Sequence, residues 1–285
     1  MIMKKSVPLL IAAAAIILTT MAGCKKDKGK PPVLPPSQSL EIDFSDFTAG
    51  KKSADLLSVA KDIPDPDENY AFSAGIVGIW NTIIAVNLAV PVTAFKLAVN
   101  TNPVWIADKT WEWKYNVTGI AGTWKARLVG KILSDKIEWE MYISKDGTPS
   151  YAEFIWFTGT SSPDGNSGQW ILNYNQQFQE PYLQIDWEKT GSQVGLIKYT
   201  YIRNQRDDRS PDPYKNSYIE YGQTTAALNA YYTVHIFEPL IIQDFVDVFI
   251  EWNTTSGEGR VKALFKFGDN NWHCWDSEKF NIECT

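Results

Sequence analysis

Residues 72–99 read FSAGIVGIWNTIIAVNLAVPVTAFKLAV. Past the first 23 residues this is the one long apolar run, and its reading decides the fold. About 20 apolar residues are enough to cross a bilayer. As a span, however, the run would hold Asn81, Asn87 and Thr93 at membrane depth with no evident partner, which is expensive. Helical spacing gives a better account. Gly78, Thr82, Ala85, Ala89, Thr93, Lys96 and Asn100 recur at steps of three and four and form one narrow stripe. The other faces carry Ile76, Ile79, Trp80, Ile83, Ile84, Val90 and Phe95. A helix apolar on most sides, with a thin small-or-polar stripe, belongs in the core of a large domain. Pro91 has no N–H to offer the Asn87 carbonyl, so a kink or break is expected there. A pair of strands and a membrane-inserted segment are the competing readings.

Downstream the period changes from 3.6 to two. Residues 111–117 (WEWKYNV), 124–128 (WKARL) and 137–143 (IEWEMYI) alternate large apolar with polar residues. Further strands centre on Phe154, Ile171, Ile185, Tyr199, Ile219, Val234, Ile250 and Val261. Turn residues separate them: Ser134-Asp135, Asp146-Gly147, Asp164-Gly165-Asn166, Gly191, Asp212-Pro213 and Ser256-Gly257. The pattern predicts a mainly β fold, an antiparallel meander of about a dozen strands. So wide a sheet must curl, close or split. With a helix available to fill it, a closed or nearly closed barrel around a buried central helix is expected. Upstream of the helix, Leu40, Ile42 and Phe44 alternate with Glu41, Asp43 and Ser45 and predict a first strand. A short helix capped by Ser53 is expected over 55–61, then an acidic, proline-broken loop over 62–69 (DIPDPDEN). That loop lacks the glycine and distal glutamate of a calcium loop.

The first 23 residues stand apart. Lys4 and Lys5 precede an apolar stretch over 7–20, too short for a stable span, and Met21-Ala22-Gly23-Cys24 follows. This is the form of an export signal. Small residues directly before a cysteine resemble a bacterial lipobox. The resemblance implies cleavage before Cys24, a lipidated Cys24 thiol and an acylated new amino terminus, with several acyl chains to hold the membrane. Met21 stands where the usual lipobox has leucine. An ordinary signal peptide with a chance cysteine is the alternative. Residues 24–39 carry lysines and then Pro31-Pro32-Val33-Leu34-Pro35-Pro36, a composition suited to an extended tether. Lys25, rather than Asp, after the cysteine fits sorting to the outer membrane, facing the periplasm or the cell surface. The domain reading is therefore a signal peptide over 1–23, a tether over 24–39 and one β-rich domain over 40–285 with a helical segment over 72–100.

Composition narrows the chemistry. The formal charge is −6, and loss of Lys4 and Lys5 with the signal takes it to −8. An acidic exported chain without a basic stripe is a poor nucleic-acid binder. Of three cysteines, Cys24 is assigned to lipid; Cys274 and Cys284 remain, ten apart, and an oxidising compartment favours a disulfide between them. A free pair, or a metal site with His273, is the alternative. His235 and His273 are the only histidines, and neither has a second ligand at zinc spacing. No nucleophile elbow, phosphate-cradling loop or cofactor motif occurs. No catalytic residue, metal ligand or cofactor is therefore assigned.

Three places keep other options open. Ile137-Glu138-Trp139-Glu140, Ile185-Asp186-Trp187-Glu188 and Ile250-Glu251-Trp252-Asn253 repeat a local theme at unequal spacing. It reads as ring inward and acid outward, or as a glycan-binding face of aromatics beside carboxylates. Glu138, Glu140, Asp186, Glu188 and Glu251 are the carboxylates from which a glycosidase pair would be drawn. The charged stretch over 204–213 (NQRDDRSPDP) is a flexible solvated loop or a partner-binding lip.

The proline-rich tether, the 40–47 strand, the apolar stretch with Asn81, Asn87 and Pro91, the Trp111-Glu112-Trp113 start and the closing 268–275 (GDNNWHCW) together resemble uncharacterised lipoproteins of Bacteroidota. The resemblance implies location and fold and adds no mechanism. Three functions follow as expectations: a non-catalytic binding or scaffold module with a glycan, lipid or protein partner, a carrier of lipid or another hydrophobic ligand with the helix as lid, and a carbohydrate-active surface protein.

Overall fold

The computed structural model describes residues 28–48, 69–119 and 122–284. Cys24, the signal segment, the helix expected over 55–61 and the loop over 62–68 lie outside them. Fourteen strands form one sheet in strictly sequential order, every neighbour antiparallel. They are β1 Val104–Ala107, β2 Thr110–Gly119, β3 Gly122–Ile132, β4 Ile137–Lys145, β5 Tyr151–Ser161, β6 Ser167–Asn173 and β7 Pro181–Thr190. The second half comprises β8 Gln193–Tyr201, β9 Tyr218–Gln223, β10 Ala230–Glu238, β11 Asp244–Trp252, β12 Gly259–Lys262, β13 His273–Trp275 and β14 Asn281–Ile282. Every strand centre expected downstream of the helix falls inside a strand. Ile137, Trp139, Met141 and Ile143 of β4 are buried, while Glu138, Glu140 and Tyr142 between them stay partly open.

The sheet does not close into a barrel: β1 pairs only with β2 and β14 only with β13. β1 is a four-residue edge and β14 a two-residue one, too short to zip into each other. The long helix α2, Asn69–Ala98, is present as expected. It meets β2 and β3 near one end of the sheet and β12 and β13 near the other, so the sheet curls toward itself. The helix is bent by 65° between Asn69–Ala85 and Leu88–Ala98, and the bend contains Asn87, the acceptor that Pro91 leaves without a helical donor. No single helix is long and apolar enough to cross a membrane; the bent pair passes that test by length and composition only.

A buried central helix is not what is observed. Val77, Trp80, Ile84, Leu88, Val92, Phe95 and Ala98 are buried, but Ile79 and Ile83 are exposed. The expected stripe holds in the second half, where Ala89, Thr93, Lys96 and Asn100 are exposed, and fails at Gly78, which is buried. The stripe assumed a straight axis, and the 65° bend turns the two halves toward different surroundings.

Much of the inner face is filled by the chain that precedes α2. The expected strand over 40–44 is not a strand. Ser37–Leu40 forms one 3-10 turn, residues 41–44 are extended and unpaired, and Ser45–Thr48 is a one-turn helix, α1. Leu40, Ile42, Phe44 and Phe47 are nevertheless buried against the sheet. Side chains of the sheet tie this segment down. Trp170 Nε1 donates to Ser39 Oγ at 3.0 Å, the Tyr232 hydroxyl donates to the Asp43 carbonyl at 2.9 Å, and Trp252 Nε1 donates to Asp46 at 2.7 Å. Phe47 lies among Tyr70, Tyr232, Trp252 and Trp275, with ring centroids 5.0 to 6.4 Å away. The proline-rich stretch before it is also packed: Pro32 and Pro35 are buried, Pro32 against Gly130 and Val33 against the Gly165 turn.

The large rings fit because glycines on adjacent strands make room. Gly159 is the register partner of Trp170, and a Cβ there would stand 2.2 Å from that ring. Gly259 relates to Trp275 in the same way, at 2.4 Å. At the far end Cys274 and Cys284 form a disulfide. Asn69 Nδ2 donates to the Cys274 carbonyl and the Asn69 backbone N–H to Asn281 Oδ1, which ties the start of α2 to the last hairpin.

Candidate functional site

The 40–44 segment and α2 leave a groove of about 330 Å³ between them. Its floor is Leu40, Ile42, Phe44, Ile84, Leu88 and Val92, all buried; its rim is Glu41, Asn81, Thr93 and Lys96. Lys96 Nζ reaches Glu41 Oε2 at 2.6 Å, so one ion pair bridges the segment and the helix. Ala85, Leu88 and Ala89 line it on both sides of the helix bend. The volume is at the lower end for sites that enclose a small apolar molecule. The floor offers dispersion and desolvation, and the rim one ion pair.

The repeated Ile-acid-Trp theme resolves toward structure. Trp139, Trp187 and Trp252 are at most 2% exposed, so these rings present no glycan-binding face. The carboxylates lie outside, Glu188 exposed and the other four each near a partner. Lys136 sits 3.1 Å from Glu138, Tyr142 donates to Glu140, Gln169 and Gln184 both donate to Asp186, and Arg260 donates to Glu251. β5 and β6 separate β4 from β7, so Glu138 and Asp186 stand about 14 Å apart, beyond the spacing of a glycosidase pair. Within one strand, Glu138 with Glu140 and Asp186 with Glu188 are about 7 Å apart, but on a convex face rather than in a cleft.

The charged 204–213 stretch is tied down rather than loose. Arg203, 5% exposed, donates to Glu180 and Asp207 and stacks on Tyr174 at 3.9 Å. Tyr201 donates to Asp212 at 2.8 Å, and Gln205 bridges Pro211. His235 meets Asp247 at 2.7 Å and stacks on Phe245; His273 meets Asp269 at 3.1 Å and stacks on Phe267. With Cys274 in a disulfide, the alternative metal site with His273 is not formed. Among the described residues no group of three His, Cys, Asp or Glu side chains could hold a metal ion.

Two features had no warning in the sequence reading. One is the groove, whose walls lie about 45 residues apart in the chain and meet only in the folded structure. The other is the tip of the β10–β11 hairpin, where Leu240 and Ile241 are 82% and 90% exposed. The Glu238 carboxylate accepts the backbone N–H groups of Leu240, Ile241 and Ile242, which fix the tip and hold that carboxyl below the usual range. Its signal was legible as Glu-Pro-Leu-Ile-Ile-Gln, an apolar triplet at a turn. A scan against protein-family models finds no match, and searches of the curated proteins and of the solved structures find none either.

Proposed function

We propose that the chain is a lipid-anchored envelope protein whose body is a non-catalytic binding module. The anchor reading rests on Lys4-Lys5, the apolar 7–20 stretch and Met21-Ala22-Gly23-Cys24, whose likeness to Bacteroidota lipoproteins points to the outer membrane. Export followed by acylation at Cys24 leaves the β domain on a membrane surface. In this reading the curled sheet, with α2 between its two ends, is a frame, and what it frames is the groove between the 40–44 segment and α2. That groove is the observation that carries the binding function: an apolar floor beside a helix bend, crossed by a single ion pair. The engaged carboxylates and histidines support a body without catalysis.

A second reading, favoured by the same groove, is a carrier of a hydrophobic ligand. The second half of α2 is then a lid hinged at 86–87 and latched by Lys96–Glu41. Two experiments test the pair. Cys24→Ala is expected to move the protein from membrane to soluble fraction; continued membrane partitioning refutes the anchor. Titration with a long-chain fatty acid is expected to change tryptophan emission, and Leu88→Trp, which fills the groove, to abolish the change. A response unaltered by that substitution places the ligand elsewhere; no response by either protein removes the carrier.

A further inference from the structure

We propose that the corner of the sheet formed by β1 and the start of the described chain is the surface that lies on the bilayer, and that its ligand is an anionic lipid interface. The proposal rests on the lipid-anchor reading and adds an orientation to it. Reach is the first argument. Three residues separate Cys24 from Lys28, and even fully extended these four steps span at most about 14 Å. From Lys28 to Thr48 the chain is packed along the fold. The Lys28 ammonium lies 5.6 Å from the centre of the Trp105 ring on β1, Pro32 rests on Gly130 of β3, and Val33 on the β5–β6 turn. The proline-rich segment thus follows one rim of the sheet instead of spacing the body from the membrane. An acyl group on Cys24 then brings the β1 corner to the lipid surface.

The chemistry of that corner fits a lipid interface. Lys28, Lys30, Lys109 and Lys131 are exposed, and the pairing of Thr110 with Lys131 sets the last two at the same end of the β2–β3 ladder. Asp108, Asp135 and Glu138 are the acids nearby, Glu138 being the register partner of Lys131 and 3.1 Å from Lys136. In a chain of formal charge −6, a corner where Lys28, Lys30, Lys109, Lys131 and Lys136 outnumber these acids is locally basic. Basic side chains within a Debye length of an anionic leaflet are attracted to it. Next to them Val104 and Ile106 are 62% and 44% exposed on the outer face of the edge strand, where aliphatic side chains enter the acyl boundary.

The antiparallel order supplies a built-in control. Turns β1–β2, β3–β4 and β5–β6 lie on one rim; turn β10–β11, with Leu240 and Ile241, lies on the other. Strands of nine residues set the rims about 30 Å apart. Ile241, the most exposed aliphatic residue among the described residues, therefore stands away from the membrane that holds Cys24.

The test uses the full lipidated chain in vesicles of phosphatidylethanolamine with phosphatidylglycerol, carrying a bimane label at Ile106→Cys or at Ile241→Cys. Doxyl-lipid quenching is expected to be several-fold stronger at 106 than at 241, with the reverse order for aqueous iodide. Replacing Lys28, Lys30, Lys109 and Lys131 together by glutamate is expected to weaken lipid quenching at 106 while the protein stays bound through its acyl chains. Equal quenching at the two sites, or stronger quenching at 241, overturns the orientation. Undiminished quenching at 106 in the glutamate variant removes the anionic lipid from the proposal. Intact mass separates the two levels: an unacylated Cys24 overturns the anchor and the orientation together, whereas an acylated protein with a solvated residue 106 overturns the orientation alone.

Discussion

Residues 40–44 and 137–143 have the same alternating pattern and different structures. In β4, Ile137, Trp139, Met141 and Ile143 point inward, and every residue of the strand pairs with β3 or β5. In the N-terminal segment, Leu40, Ile42 and Phe44 point inward just as well, at 0 to 5% exposure, yet no strand pairs with them. Alternation reports that one side of an extended chain is buried. It does not report where the backbone hydrogen bonds go. In β4 they go to neighbouring strands; in the segment the Tyr232 hydroxyl takes one backbone carbonyl, that of Asp43, while Trp170 and Trp252 hold the side chains of Ser39 and Asp46. Burial pushes the Tyr232 phenol well above its ordinary pKa, so it stays a neutral donor to the Asp43 carbonyl across the working pH range.

The comparison breaks first where segment and sheet share a residue. Trp170→Ala removes a fully buried ring in contact with Phe95 and Phe157, together with the hydrogen bond to Ser39. A loss of about 3–5 kcal/mol is expected from urea unfolding. Phe47→Ala is the matching test in the segment itself and should cost about 3 kcal/mol. A cost near that of a surface substitution would mean that the segment only decorates the sheet. Opening the Cys274–Cys284 disulfide with a reductant should cost about 2–3 kcal/mol for so small a loop, read as a fall in the unfolding midpoint. Ser39→Ala leaves the buried Trp170 Nε1 without its acceptor and should cost about 1–2 kcal/mol. A null result there would show that the segment is held by shape alone. Smallest is Lys96→Ala. Its ion pair with Glu41 is about half exposed on both sides, so less than about 1 kcal/mol is expected. If that variant nonetheless changes ligand uptake several-fold, the pair is a latch rather than a stabiliser.

The meander was readable because each strand carries its own evidence: alternation, and turn residues at the ends. Bend and helix were readable for the same reason, since Pro91 and Asn87 are four residues apart. Closure of the sheet was not, because it depends on whether β1 and β14 reach each other, and nothing local to 104–107 or 281–282 says so. The burial of α2 was overstated because a stripe drawn along a straight axis ignores the 65° bend. The tryptophan theme allowed two faces, and only the depth of Trp139, Trp187 and Trp252 selected the inner one. Of the candidate site, Ile84 was visible as an apolar helix position and Leu40 as a strand position. Their meeting in one groove was not visible.

By itself the sequence determined the antiparallel β-rich body, the bent apolar helix, and which two cysteines face each other at the end of the chain. These follow from local pattern, where the physics acts over a few residues. Only the tertiary structure decided that the sheet stays open, that the 39–47 segment packs on its inner face, and that a groove opens beside the bend. Those outcomes depend on contacts between residues far apart in the chain. Their geometry is set by packing volume and strand length together, and no single stretch contains either.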